Sequence, residues 1–250
     1  MSPSRRIPWL WTAALLGLLL STAACAAPHQ TAAPPARREP ANVMSWEKAS
    51  WLERDGRAEN EKPELVIAAM ALKEGMTVAE IGAGTGFFTR RLAKAVGPTG
   101  KVLAEEIQPQ MLDLLKQNAA KEGIANITTI LGTETDPRLP AHGVDRLLLV
   151  DVYHEFQKPE PMLAHLRESL APGGTVTLVE YRLEGDTAAH INIKHRMSVE
   201  QVLTEWNAAG FELAQRLETL PAQHIFIFSA RRGVRAPGAD EKGKTVRPPA

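Results

Sequence analysis

Cysteine is almost absent from this sequence. Cys25 is the single cysteine among 250 residues. One thiol cannot form an intrachain disulfide, build a cysteine-rich zinc site or support chemistry that needs two thiols. The sequence therefore excludes a fold held by intrachain disulfides and a dithiol redox enzyme.

A long apolar run is also missing, although a shorter one lies near the N-terminus. Arg5 and Arg6 precede apolar residues 7–20, and small residues lead from there to Cys25. About 14 apolar residues fall short of the roughly 20 that cross a bilayer. Residues 1–25 are therefore predicted to be a signal peptide, and an uncleaved anchor that extends to Ala27 is the alternative.

The end of this segment, Thr22-Ala23-Ala24-Cys25, resembles a bacterial lipobox, in which the cysteine is lipidated and becomes the mature N-terminus. Thr22 departs from the usual leucine, so simple cleavage after Ala26 remains open. The resemblance implies a lipoprotein that is anchored in the membrane and faces the periplasm. Residues 26–42, rich in Ala and Pro, are predicted to be a flexible tether, and a cytoplasmic location is the alternative.

Positive and negative residues balance over the whole chain but are unevenly distributed along it. The formal net charge is zero, yet residues 41–230 contain 19 basic and 26 acidic residues, a net charge of −7. An acidic surface repels polyphosphates, so binding of nucleic acid by this part is not expected. Residues 231–250 are basic and poor in apolar side chains, which predicts a disordered tail.

Residues 43–230 alternate between the patterns of strands and of helices. This alternation predicts right-handed crossovers and a doubly wound, mainly parallel α/β sheet. Residues 211–217 and 224–228 are predicted to add a C-terminal antiparallel hairpin, which gives seven strands in total. A capping box at Ser198 and Gln201 begins the helix before the hairpin. The other predicted strands are 77–81, 101–105, 127–131, 146–150 and 175–179, and the helices are 63–75, 87–96, 109–122 and 159–170.

A glycine-rich turn, Glu80-Ile81-Gly82-Ala83-Gly84-Thr85-Gly86, follows the first strand. Glycines let the backbone turn sharply and approach a ligand, and the next helix offers free N–H groups. A dinucleotide fingerprint requires Gly-x-Gly-x-x-Gly, whereas the spacing here is Gly-x-Gly-x-Gly. Glu80 would repel a pyrophosphate and attract a cation, so the loop suits a positively charged nucleoside.

The turn resembles the first motif of the class I S-adenosylmethionine-dependent methyltransferases, over a region of roughly residues 51–230. The resemblance is closest to the small-molecule, ubiquinone-biosynthesis-like branch, and it implies a Rossmann-like fold with S-adenosyl-L-methionine as cofactor. It implies that Glu106 binds the ribose hydroxyls, with Glu105 as the alternative if the register differs by one. Thr133 and Glu134 are both candidates for contacts with the adenine. The implied cofactor-binding residues are Glu80, Gly82, Ala83, Gly84, Gly86, Glu106, Thr133 and Glu134.

The predicted catalytic residues are Asp151, Tyr153 and His154, in the sequence that follows the fourth strand. Ligands of open α/β sheets bind at this carboxyl edge. Methyl transfer requires in-line positioning of the acceptor and at most one base, a role that suits the pKa of His154. Tyr153 could orient the acceptor, a purely structural role for His154 remains open, and His195 is a further candidate on the substrate side.

Other motifs of methyltransferases are missing. The sequence has no Asn/Asp-Pro-Pro-Tyr loop of the kind that methylates amino groups of nucleic-acid bases, and no metal ligands at short spacing. We therefore expect a small organic methyl acceptor and no metal. Two other classes remain open, namely a nicotinamide-dependent oxidoreductase on a similar sheet and a catalytically silent lipoprotein that binds the cofactor.

Overall fold

The predicted sheet is present in the computed structural model, which describes residues 38–231. Its strand order is β3-β2-β1-β4-β5-β8-β7, and a short β6 pairs with the end of β5. The strands are β1 (Thr77–Ile81), β2 (Lys101–Glu106), β3 (Ile127–Leu131), β4 (Val144–Val150), β5 (Leu170–Arg182), β6 (Arg196–Met197), β7 (Phe211–Leu217) and β8 (Gln223–Ala230).

Helices connect the parallel strands and cover the sheet. Residues 38–231 also contain three 3₁₀ helices, namely Trp46–Glu53 before the first strand, Tyr153–Glu155 after β4 and Ile193–His195 before β6. The α-helices are α1 (Arg57–Glu61), α2 (Pro63–Ala69), α3 (Phe87–Ala95), α4 (Pro109–Lys121), α5 (Pro159–Ser169) and α6 (Val199–Ala208).

The sheet is parallel from β3 to β5 and antiparallel beyond it. Strand β1 pairs in parallel with β2 and β4, and β5 pairs in parallel with β4. Strand β8 is antiparallel both to β5 and to β7, so the predicted C-terminal hairpin is confirmed. The mixed sheet and its helices confirm the predicted α/β, Rossmann-like fold class.

Apolar clusters lie on both faces of the sheet, as burial of a doubly wound sheet requires. On one face, Trp206 of α6 stacks on Phe228 of β8 with ring centroids 4.5 Å apart. On the other face, Phe88 and Leu92 of α3 pack with Val66 of α2.

Local details differ from the sequence prediction. The helix predicted over residues 63–75 ends at Ala69, β4 begins at Val144 instead of residue 146, and β5 begins at Leu170 instead of residue 175. Strand β5 continues to Arg182, beyond the predicted end at residue 179, and β6 was not predicted. Ser198 caps α6 by accepting a hydrogen bond from the N–H of Gln201, but the Gln201 side chain donates to Glu205, so the reciprocal half of a capping box is not formed.

The last residues of the predicted tether are packed against the domain. Ala41 is buried, and its N–H donates to the carbonyl of His154 at 3.0 Å. The Arg38 guanidinium donates to the carbonyls of Tyr153 and His154, each at 2.7 Å. Residues 38–42 therefore belong structurally to the folded domain. The predicted signal peptide, Cys25 and nearly all of the basic tail lie outside the described residues, and no helix within residues 38–231 has the length and hydrophobicity to cross a membrane.

Candidate active site

A cavity of about 980 Å³ opens at the carboxyl ends of the parallel strands. The glycine loop after β1, the end of β2, and the segment after β4 line it. The 3₁₀ helix Trp46–Glu53 and the segment before β6 complete its walls. Carboxyl ends of parallel strands meet at one edge, which is why sequence segments far apart converge here.

The glycine loop has the backbone that its spacing predicts. Gly82, Gly84 and Gly86 have φ values of +67°, +51° and +87°, a region that L side chains rarely adopt. A Cβ at Gly84 would lie 2.7 Å from Cδ1 of Leu52, and one at Gly86 would lie 2.7 Å from Cγ of Leu115. The backbone conformation therefore favours glycine at all three positions, and close packing against Leu115 adds to this requirement at Gly86.

Both acids at the end of β2 contact the glycine loop. Glu106 accepts from the N–H of Gly84 at 3.0 Å through Oε2, and from Ile107 and Gln108 through Oε1. Glu105 accepts from Gly82 at 3.3 Å through Oε2, while its Oε1 is buried and has no hydrogen-bond partner among the described residues. Both side chains line the cavity, so position alone does not decide which of the two has the ribose-binding role expected for Glu106.

Several buried carboxyls of the cavity have raised pKa values. Burial raises the pKa of Glu80 to about 8, against the lowering effect of the hydrogen bond that its Oε2 accepts from Thr89. Burial, and then the charge of Glu106, raise the pKa of Glu105 to about 8. Buried carboxyls that resist ionisation gain from a cationic ligand, because the ligand offsets their desolvation.

The sequence prediction missed a basic group at the Glu80 end of the cavity. Arg57 is buried, pairs with Glu61 at 2.9 Å and lies over the ring of Phe87 at 4.1 Å. Arg54 binds the same Glu61 at 2.6 Å. The signal in the sequence was weak, because Arg54, Arg57 and Glu61 lie in a polar segment that is typical of an exposed helix.

Thr133 and Glu134 also line the cavity, beyond the end of β3. Thr133 Oγ1 accepts hydrogen bonds from the N–H groups of Thr135 and Asp136, so its hydroxyl stabilises the turn. Glu134 is exposed. Both predicted adenine-side candidates are therefore at the site, and the structure does not choose between them.

Asp151 lies in the cavity, where the sequence predicted it. It adopts φ of +51°, and its Oδ2 accepts from Nε2 of Gln223 at 2.7 Å. Its Oδ1 is buried without a hydrogen-bond partner in the part of the chain that the structure describes. Burial, and then the nearby charge of Glu180, raise the pKa of Asp151 well above its ordinary value.

His154 is held between a buried acid and a second histidine. Its Nδ1 lies 2.6 Å from Oε2 of Glu180, which is fully buried in β5. Its Nε2 lies 2.9 Å from Nδ1 of His195. Burial would lower the pKa of His154, but the carboxylate of Glu180 outweighs burial and raises it. His154 and His195 both line the cavity, so the two predicted histidines are brought together.

Tyr153 is not brought into the cavity. Its side chain is fully buried, its hydroxyl donates to Oε2 of Glu205 at 2.6 Å, and its ring packs edge-on against Trp206 at 5.5 Å. Successive residues of a 3₁₀ helix point about 120° apart, so Tyr153 and His154 face different directions. The expected role of Tyr153 in orienting an acceptor is therefore corrected to a role in the core.

The sequence prediction also missed Glu180 and the clustering around His195. Glu180 follows directly on the apolar run of β5, and an acid at the carboxyl end of a central strand was a signal that could have been used. His154, Glu155 and His195 place one potential ligand atom each within 4.8 Å of one another. Spacing in the sequence did not reveal this group, because His195 is 41 residues from His154.

Comparison with known proteins agrees with this geometry. Residues 78–174 match a family model described as a methyltransferase domain. A crystal structure of an S-adenosylmethionine-dependent methyltransferase from Aquifex aeolicus superposes with a TM-score of 0.69 at 26% identity, and covers 74% of this chain and 98% of that one.

Two relatives match over shorter segments. Protein-L-isoaspartate O-methyltransferase of Methanococcoides burtonii is 32% identical over 110 residues, which is 44% of this chain and 51% of the relative. The ubiquinone/menaquinone biosynthesis C-methyltransferase UbiE of Burkholderia vietnamiensis is 30% identical over 115 residues, 46% of this chain and 47% of the relative. The chain thus spans about half the length of these relatives.

Residues 78–174 thus match a methyltransferase domain, and the fold, the glycine loop and the comparisons make this chain similar to class I S-adenosylmethionine-dependent methyltransferases. The matched domain and these relatives imply S-adenosyl-L-methionine as the cofactor.

Proposed function

We propose that this protein transfers the methyl group of S-adenosylmethionine to a small organic acceptor. The observation that carries the proposal is that one cavity contains both the glycine loop tied to Glu106 and the pair His154 and His195. In the reaction, the acceptor forms a bond to the methyl carbon, the bonding electrons remain on sulfur, and S-adenosylhomocysteine leaves. The acceptor also loses a proton.

The cofactor half of the cavity has charges that match the proposed ligand. The raised pKa values of Glu80 and Glu105 favour a ligand with sulfonium and ammonium groups nearby. Arg54 and Arg57 provide guanidinium groups for a ligand carboxylate. Glu106 is proposed to accept hydrogen bonds from the ribose hydroxyls.

Thr133 and Glu134 are proposed to lie on the adenine side, which follows from their position beyond β3. Strand β3 neighbours β2, so this part of the cavity wall is next to Glu106. An adenosine whose ribose meets Glu106 would extend its base toward Thr133.

The acceptor half of the cavity is assigned to His154, His195 and Asp151. In-line displacement requires the acceptor to face the sulfonium from the side opposite sulfur. His154 follows β4, whose neighbour in the sheet is β1, and His195 contacts His154 from the segment before β6, so the histidine pair lies near the glycine loop. A quinol-like or phenolic ring is the proposed acceptor class, supported by the similarity to UbiE.

We also propose that the protein is an exported lipoprotein anchored through Cys25. This proposal is supported by the sequence of residues 1–42 alone. A cytoplasmic location is the alternative, and it would place the enzyme where the methyl donor is made.

The activity is tested with a tritium-labelled methyl donor and a screen of phenols, amines and quinol-like compounds. The proposal predicts transfer of label to at least one class of acceptor. A protein that binds S-adenosylhomocysteine but labels no acceptor in the screen would instead support the catalytically silent cofactor-binding lipoprotein.

A further inference from the structure

Three side chains in the acceptor half of the cavity have the arrangement of metal ligands. Nε2 of His154 and Nδ1 of His195 are 2.9 Å apart, and a carboxylate oxygen of Glu155 lies within 4.8 Å of both. Two nitrogens bound at about 2.1 Å to one tetrahedral cation are about 3.4 Å apart. The two nitrogens would move apart by about half an ångström to bind one cation, and two metal bonds would replace the hydrogen bond between them.

The imidazole of His154 is oriented by a partner behind it. Glu180 is fully buried, and its Oε1 accepts from the N–H of Tyr153 at 2.8 Å, which fixes the carboxylate. Its Oε2 lies 2.6 Å from Nδ1 of His154. A carboxylate accepts hydrogen bonds, so Nδ1 carries the proton, and in the neutral ring Nε2 presents its lone pair toward Nδ1 of His195. A carboxylate behind a ligating histidine is a common feature of metal sites.

The third ligand is free to adjust. Glu155 is held by a long hydrogen bond of 3.3 Å from the N–H of Met44, and its side chain is half-buried at the cavity wall. His195 is also half-buried, in a 3₁₀ helix of three residues. Binding of one cation by all three residues would require the Glu155 side chain to rotate so that its oxygen faces the two nitrogens.

The charges around the trio favour a cation. Asp151 and Glu180 add two buried carboxyls next to His154, and Asp151 Oδ1 has no hydrogen-bond partner among residues 38–231. The Arg38 side chain donates to the main-chain carbonyls of this turn and to Glu205. The described side-chain hydrogen bonds of Arg38 thus involve neither Asp151 nor Glu180, and a cation near the two imidazoles would favour the ionised form of Asp151.

We propose that His154, Glu155 and His195 bind one divalent transition-metal ion of the zinc type. Imidazole nitrogens suit zinc and its neighbours, whereas magnesium and calcium prefer an all-oxygen set. Three protein ligands leave a position open for an oxygen of the methyl acceptor. If the proposed methyl transfer is correct, the ion would hold that oxygen in place and promote its deprotonation. Metal binding itself does not depend on the proposed function.

Titration of the full chain with Co²⁺ tests the site directly, after prior metals have been removed with a chelator. Visible absorption reports the coordination of Co²⁺, and competition with Zn²⁺ gives its affinity. Wild type and His190→Ala are expected to bind one equivalent equally well, because His190 lines the same cavity outside the trio. His195→Ala is expected to weaken binding at least about a hundredfold, and Glu180→Gln about ten- to a hundredfold.

Binding of S-adenosylhomocysteine, measured on the same samples, reports that each variant is folded. Absence of stoichiometric Co²⁺ binding in a wild type that binds S-adenosylhomocysteine would overturn the metal site, and so would equal Co²⁺ affinity in His195→Ala and His190→Ala. The remaining role of the two histidines would then be a metal-free proton relay from His195 through His154 to Glu180. Co²⁺ binding without S-adenosylhomocysteine binding would support the metal site and contradict the proposed function.

Discussion

Oε2 of Glu106 accepts a hydrogen bond from the main-chain N–H of Gly84 at 3.0 Å, and this bond joins the end of β2 to the loop that follows β1. The same carboxylate accepts from two further main-chain N–H groups at Ile107 and Gln108. One side chain therefore shapes both walls of the cofactor half of the cavity. Substitutions at Gly84 and Glu106 should act on cofactor binding more than on the fold.

Gly84→Val is expected to abolish cofactor binding. Wild type should bind S-adenosylhomocysteine with micromolar affinity, roughly −8 kcal/mol. A branched side chain at φ of +51° is strained and would clash with Leu52 beside the loop. Isothermal titration calorimetry should show a loss of at least about a hundredfold.

The matched control for that variant is Gly123→Val. Gly123 has φ of +67°, but a Cβ there meets no atom within 4 Å, so the control carries the backbone strain without the clash. It should retain wild-type affinity. If both variants bind alike, the glycine loop is not the cofactor site.

Glu106→Ala is expected to lower affinity for S-adenosylhomocysteine about ten- to a hundredfold. Hydrogen bonds to an ionised acceptor contribute roughly 1.5 to 3 kcal/mol, and the substitution removes the proposed partner of the ribose. Glu105→Ala should have a much smaller effect on affinity. Equal losses, or a larger loss for Glu105→Ala, would show that the assignment to Glu106 is off by one residue.

The pH dependence of the free energy of unfolding should show that Glu105 is protonated in the folded protein. Its side chain is 1% exposed, and burial raises its pKa from 4.5 to about 8 in the folded protein. The folded state therefore keeps a proton that the unfolded chain releases above pH 4.5. This contribution to stability is complete below that pH and is lost as pH rises through about 8.

Urea unfolding of the cofactor-free protein at pH 5, 6.5 and 8 measures this effect. Wild type should lose on the order of a few kcal/mol across the range, and Glu105→Gln should lose less, because its amide does not titrate. Parallel pH profiles for the two proteins would mean that Glu105 is not a buried, protonated acid.

Tyr153→Phe should affect mainly stability and His195→Ala mainly turnover, because Tyr153 lies in the core and His195 lines the acceptor half of the cavity. Removing the Tyr153 hydroxyl deletes a buried hydrogen bond to Glu205, which should lower the free energy of unfolding by roughly 1.5 to 3 kcal/mol and leave turnover near wild type. His195→Ala should lower turnover about 10²- to 10⁴-fold with little change in stability. Thermal melts and labelled-methyl assays on both variants check this. Loss of turnover in Tyr153→Phe without loss of stability would show that Tyr153 contacts the acceptor.

The membrane anchor is tested in cells with radiolabelled palmitate. Wild type should incorporate label and fractionate with membranes, whereas Cys25→Ser should remain unlabelled and accumulate as precursor or change its fractionation. An unlabelled wild type in the cytosol would contradict export and would place the protein with its methyl donor.

The sequence predicted the fold well because periodicity and glycine spacing are local signals. Strand β3 occupies the predicted residues, and the carboxyl edge of β1 and β4 contains the residues that the motifs indicated. The hairpin of β7 and β8 was predictable for the same reason, because both segments are short and adjacent in the chain.

The acceptor half was predicted less well because its contacts are long-range. Glu180 and His195 lie 26 and 41 residues from His154, and only the sheet and the segment before β6 bring them together. The sequence places Tyr153 next to His154, which predicts that both side chains face the cavity, but the local 3₁₀ turn directs the Tyr153 side chain into the core.

Calorimetric titration of the wild-type chain with S-adenosylhomocysteine and, separately, with NADH tests the central claim most directly. The Gly-x-Gly-x-Gly loop and the carboxylates around it predict saturable micromolar binding of S-adenosylhomocysteine and no binding of NADH. Binding of NADH but not of S-adenosylhomocysteine would contradict the account and favour an oxidoreductase. Binding of neither ligand would show that the cavity is not a cofactor site.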